Sequence, residues 1–194
     1  MPKRVAEAQI FEAAVTVLAR RGYSAATTQE IAALAGINEA TLFRRFGTKA
    51  ELIARTIDHQ LADTPLDKLA YSGQLATDLE AVVDAYIQTN QTHGDVVLIL
   101  LQEIPRHPDL RASFGTPLSN IQGVAQIIGR YQAQGDLIKE SPWLTLGALI
   151  GPVVVNGLFR RADLAPGVPE IDVSAHVQAF LAGRRSEPSS ARRT

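Results

Sequence analysis

Three helix starts are crowded into residues 27–51, and that crowding limits what can form there. Thr27-Thr28-Gln29-Glu30 and Thr48-Lys49-Ala50-Glu51 are both capping boxes. In such a box the leading hydroxyl accepts the amide three residues on, and the glutamate reaches back to the cap. Between them Asn38 can cap a helix of its own just after Gly36 closes the previous one. The spacing predicts two short helices joined by a three-to-four-residue glycine turn, then another helix reaching about Ala62, where Asp63-Thr64-Pro65 stops it. Upstream, Ile10, Phe11, Ala14, Val17 and Leu18 recur at helical spacing as far as Arg20-Arg21-Gly22, which predicts a first helix over roughly residues 4–21. The two arginines suit the C-terminus of that helix.

From Leu75 onward the pattern stays helical, with Leu75, Leu79, Val82 and Tyr86 on one stripe and Leu118, Ile121, Ala125 and Ile128 on another. Breaks fall at His93-Gly94-Asp95, Pro105 to Pro108, Gln134-Gly135-Asp136, Ser141-Pro142 and Leu164 to Pro169, giving about nine helices in all and no strand. The expected fold class is therefore all-α. Residues 1–50 form the helix-turn-helix head, 51–183 a larger helical domain, and 184–194 a Ser/Pro/Arg-rich disordered tail.

The charge is distributed unevenly. Residues 1–55 carry eight Lys/Arg against five Glu, whereas residues 56–183 carry seven against fourteen acids. A basic head on an acidic body points to nucleic acid at the head. Its second short helix, about residues 39–45, is then the one presented to a major groove. Leu42 and Phe46 face inward at i, i+4, leaving Glu39, Ala40, Thr41, Phe43, Arg44 and Arg45 for phosphates and base edges. Lys49 sits in the first turn of the following helix, where a cation opposes the helix dipole, so a phosphate partner explains it better than helix stability does. Lys3 and Arg4 suit a basic arm. The chain has no cysteine and no apolar leader after Met1, so a reducing cytoplasm is the expected compartment.

The run Gly22-Tyr23, Thr27 to Ala32, Ala35 to Asn38, Thr41 to Phe46 and Thr48 to Leu52 resembles the DNA-binding domain of TetR/AcrR-family repressors over about residues 10–53, without a gap. Gln134-Gly135-Asp136-Leu137 followed by Ala148 and Gly151 is similar to a later junction of that family. The resemblance implies phosphate contacts from Thr27, Thr41, Phe43, Arg45 and Lys49, and base contacts from Thr28 and the exposed part of 39–44. It also implies a homodimeric repressor released from a palindromic operator by a small, largely apolar effector, with activation as the alternative. Two departures stand out. Phe43 replaces the usual tyrosine and so lacks the phenolic hydrogen bond, and Arg45 replaces a frequent histidine and brings a permanent charge. Glu39 stands where a basic or small residue is common, and is either a specificity element or a solvated side chain.

Trp143 to Phe159 is apolar nearly all round, and such a helix must be buried on every side. A dimer seam supplies that burial, with Gly147 and Gly151 letting backbones approach and Val173, Val177 and Phe180 offering a matching stripe. A membrane span is the rival reading, but 17 residues containing Pro152 and Asn156 are short for a hydrocarbon core. Polar candidates for an effector pocket are Tyr86, Gln102, Glu103, Arg130 and Asn156, and Asn156 can equally set dimer register. No cofactor or metal is expected, nor an enzyme. There is no phosphate loop, nucleophile elbow or cysteine nucleophile, and Glu103 and His107 are separated by Pro105, which should turn one away from the other's face.

Overall fold

The computed structural model describes residues 6–62, 64–162 and 167–185. The expected arm at Lys3 and Arg4, the break at Leu164 and the tail arginines Arg192 and Arg193 lie outside them. The described elements are α1 (Glu7–Ala25), α2 (Thr28–Leu34), α3 (Glu39–Phe46), α4 (Lys49–Leu61), α5 (Leu75–Glu103), α6 (Gly115–Gln134), α7 (Pro142–Arg161) and α8 (Val173–Arg184). Short 3-10 helices at Pro65–Lys68 and Pro108–Phe114 complete an all-helical chain among the described residues.

Two compact units form, one from the described residues of Met1–Asp63 with Thr89–Ser119, the other from those of Thr64–Gln88 with Asn120–Thr194. In the first, Ile10, Leu18, Ile31, Leu42, Leu52 and Ile53 are fully buried, and Leu110 and Phe114 join them. Phe11 meets the edge of Phe46 at 5.8 Å, which fixes α1 against the end of α3. In the second, Leu79, Val83, Ile128, Tyr131, Leu149 and Val177 are buried together. One charge lies inside this core. Burial pushes the Asp78 carboxyl up, but hydrogen bonds from Ser72, Tyr131 and the Ser72 and Gly73 backbone outweigh burial and hold it below the usual range.

Local signals account for the starts of the short helices. Thr27 accepts the Glu30 amide at 3.1 Å, Asn38 that of Thr41 at 2.7 Å, and Thr48 that of Glu51 at 3.0 Å. Only half of each capping box forms. The Glu30 carboxylate takes the Thr27 hydroxyl and Arg21, and the Glu51 carboxylate takes Arg55, so both are turned to side chains instead of their cap backbone. The expected outcome of Asn38→Ala is a loss of about 1 kcal/mol in urea unfolding, with the helical circular-dichroism signal otherwise retained.

Three expectations need correction. The break at His93-Gly94-Asp95 is absent, because α5 continues through it. One glycine inside a helix costs only about 1 kcal/mol, which the rest of a long helix absorbs. The C-terminus of α1 is also displaced: Gly22 takes φ +70° and kinks the chain, helical geometry resumes to Ala25, and Arg21 pairs with Glu30 at 3.2 Å. Arg184, expected in the tail, belongs to α8 and reaches Glu140 at 3.1 Å while lying over the Phe180 ring.

Candidate nucleic-acid interface

The turn between α2 and α3 depends on Gly36, which adopts φ +73°. The Ile37 amide donates to the Ala32 carbonyl at 3.0 Å and the Gly36 amide to Ala33 at 3.2 Å, closing the helix in a way that a side chain at position 36 would strain. Leu42 and Phe46 then point inward and are buried, as expected from their spacing. Ala40, Phe43 and Arg44 are exposed on the opposite side of α3, and Phe43 shows 45% of its surface to solvent. Thr27 is exposed, while Thr28, Glu39, Thr41 and Arg45 are half-buried.

Several of these side chains have partners that spacing alone does not reveal. The Thr28 hydroxyl donates to the Glu39 carboxylate at 2.5 Å, joining α2 to the first residue of α3. Arg45 reaches Glu7 on α1 at 3.2 Å. Lys49 turns inward: its ammonium donates to the Tyr23 carbonyl at 2.5 Å and the Ala26 carbonyl at 2.8 Å, and lies 4.1 Å from the Tyr23 ring centroid. Burial lowers its pKa, opposed by Asp109 and Glu103. A cation in the first turn of α4 thus has an internal explanation, since it satisfies carbonyls left free where α1 kinks at Gly22.

Around this clamp lies a polar cluster that joins the end of α1 to the segment after α5. Tyr23 donates its hydroxyl to Asp109 at 3.3 Å, and burial first and Asp109 second push the phenol up to about 12. Ser24 lies 3.0 Å from both the Glu103 carboxylate and His107 Nε2. Glu103 and His107 are themselves 3.7 Å apart, contrary to the expectation that Pro105 separates them. The His107 amide still donates to the Glu103 carbonyl at 2.9 Å, so the turn carries on past a proline that only lacks its own donor. Among the described residues no group of three or more His, Cys, Asp or Glu is placed to hold a metal ion.

The effector candidates do not share one set of contacts. Glu103 faces Ser24, Gln102 is exposed, Arg130 lies 5.4 Å over the Tyr71 ring, and the Asn156 amide donates to the Pro169 carbonyl at 3.1 Å. Tyr86 is half-buried, and burial raises its pKa. Sequence reasoning missed Thr89, whose buried hydroxyl has no hydrogen-bond partner among the described residues, and His93 one turn later, whose pKa burial lowers. A threonine inside a helix carries no spacing signal that marks its hydroxyl as unpaired.

On α7 one broad stripe faces outward: Trp143, Leu144, Gly147, Pro152, Val155, Leu158 and Phe159 are exposed, Gly151 among them is half-buried, and a Cβ added at either glycine would meet nothing within 4 Å. Thr145, Leu149 and Val153 on the other side are buried. α7 is 20 residues long, more than the 17 expected, and by length and composition it alone among the described helices is long and apolar enough to cross a membrane. Val177 and Phe180, expected at a seam between copies, are already buried within the chain, and Val173 packs beside them. The α8 stripe is used internally because it is the side that covers Leu149 and Val153 of the same core.

Residues 10–56 match the model of "Bacterial regulatory proteins, tetR family". The HTH-type transcriptional repressor Rv3405c of Mycobacterium tuberculosis is 35% identical over 79 residues, 41% of this chain and 41% of that protein, so the matched stretch spans less than half of that relative. Two solved structures share the fold at low identity. The Flavonoid-responsive Regulator FrrA has a TM-score of 0.67 at 22% identity, covering 94% of this chain and 98% of that one. FadR from Bacillus subtilis, in complex with stearoyl-CoA, has a TM-score of 0.64 at 18% identity over 90% and 95%. Over residues 10–56, the chain is similar to the tetR family of bacterial regulatory proteins.

Proposed function

We propose that the chain is a cytoplasmic, homodimeric transcriptional repressor that binds a palindromic operator through α3 and leaves it when a small, largely apolar effector binds. The observation that carries this reading is α3 itself. It is a capped, eight-residue helix anchored by Leu42 and Phe46, with Ala40, Phe43 and Arg44 exposed beside it. Residues 1–50 bind DNA, and 51–183 bind effector and partner. Thr27, Thr41 and Arg45 contact phosphates, and Arg44 reads a base. Phe43, without a hydroxyl, offers its ring to sugar or to a thymine methyl. Tyr86 is the best placed of the five polar effector candidates, and the flavonoid response and the stearoyl-CoA complex named for the two structural relatives support a largely apolar ligand.

The exposed stripe of α7 is the dimer face. A membrane would have to surround the whole helix, whereas Leu149 and Val153 pack on the protein core, so one-sided exposure favours a second helix. Effector binding then stabilises a spacing of the two recognition helices that no longer matches one turn of DNA, about 34 to 36 Å. Selection of bound DNA from a random pool tests the reading. A palindromic consensus supports it, and a pool without enrichment refutes it. Within that consensus Arg44→Ala should flatten the preference at one base pair of each half-site, a loss of about 1 to 3 kcal/mol measured by competition titration. Uniform weakening at every site would make Arg44 a backbone contact.

A further inference from the structure

We propose that Glu39 reads a cytosine in each half-site and that Thr28 holds its carboxylate in the reading position, an assignment that rests on the DNA-binding reading above. Glu39 is the first residue of α3, the end of a recognition helix that reaches base edges. Its carboxylate only accepts hydrogen bonds and repels phosphate, so it cannot serve as a backbone anchor. In the major groove guanine offers two acceptors and thymine an acceptor beside a methyl group. Adenine offers a donor next to an acceptor, and cytosine offers its N4 amino donor alone. Cytosine is the one edge that meets a carboxylate without a second, repulsive atom.

The hydroxyl of Thr28 has a single proton, and at 2.5 Å from Glu39 Oε1 that proton is committed to the carboxylate. Oε1 is thereby fixed, and Oε2 is left to accept from the base. Thr28 is a positioning residue rather than a base contact. Its own place in the fold does not depend on this bond, because the cap of α2 is Thr27. The bond also removes rotamer freedom from a long side chain before DNA arrives, which sharpens discrimination.

The test selects bound DNA from a random pool with the full-length wild-type chain, Glu39→Gln, Thr28→Val and Thr28→Ser, after thermal melting shows that each variant is folded. The wild type should give a palindrome with one fixed C·G pair per half-site, and replacing that pair with T·A should weaken binding about tenfold in competition. Glu39→Gln should move the preference at that position to adenine, whose N6 and N7 match a carboxamide. Thr28→Val should keep the consensus but reduce the preference for cytosine several-fold, and Thr28→Ser should restore it. A palindrome that Glu39→Gln leaves unchanged overturns the assignment alone and reduces the Thr28–Glu39 bond to a staple between helices. A wild-type pool without any consensus overturns both the assignment and the DNA-binding reading beneath it.

Discussion

Replacing Gly151 with leucine should separate the dimer and lower operator affinity by about a thousandfold or more, toward the non-specific level, although the substitution leaves α3 untouched. Within its own chain the new side chain has room, because a Cβ at Gly151 meets nothing within 4 Å. Gly151 lies inside α7, where leucine gains about 1 kcal/mol of helix propensity over glycine, so the isolated fold should be no less stable than the wild type. The loss must come from across the seam, where overpacking a close helix approach costs about 1 to 3 kcal/mol per chain. A single head with three or four base contacts binds too weakly to hold one operator. Light scattering at low micromolar concentration, paired with operator titration, reads both effects. A variant that stays dimeric with wild-type affinity would mean that the α7 stripe faces something other than a second copy.

The second large effect concerns stability. Lys49→Ala should lower the unfolding free energy by about 2 to 4 kcal/mol, seen as a reduced urea midpoint. It removes two charged hydrogen bonds and a cation–π contact, and leaves the Tyr23 and Ala26 carbonyls without their donor. Lys49→Arg should not rescue it, since a planar guanidinium does not fit a site shaped for a compact ammonium between two carbonyls. The salt dependence of DNA binding distinguishes this role from the phosphate contact that the resemblance implies. A wild-type urea midpoint together with a salt slope reduced by about one unit would return Lys49 to the phosphate backbone.

The head was legible in the sequence because its information is local. Thr27, Asn38 and Thr48 each cap a helix through an amide three residues away, and Gly36 makes its turn alone, so four-residue windows were enough. What the side chains do afterwards was not legible. Thr28 finds Glu39 across 11 residues, Lys49 finds Tyr23 across 26, and Ser24 finds Glu103 across 79, pairings that exist only once helices pack. Periodicity identified the α8 stripe but could not say which neighbour it covers, so Val177 and Phe180 were expected between copies and are instead inside one. Composition marked Trp143 to Phe159 as apolar all round, but within one chain α7 buries only Thr145, Leu149 and Val153 and leaves Trp143, Leu144, Val155, Leu158 and Phe159 exposed, because one core covers only one side of a helix.

The proposed function requires two copies of this chain to read DNA together through α3. Its most direct test is a titration of the selected palindrome against the same duplex with one half-site scrambled, with the mass of each complex measured in solution. Two chains are expected on the palindrome, with half-site centres one helical turn apart, and binding to the scrambled duplex should be weaker by orders of magnitude. A single chain per duplex, or equal affinity for the two duplexes, would contradict it.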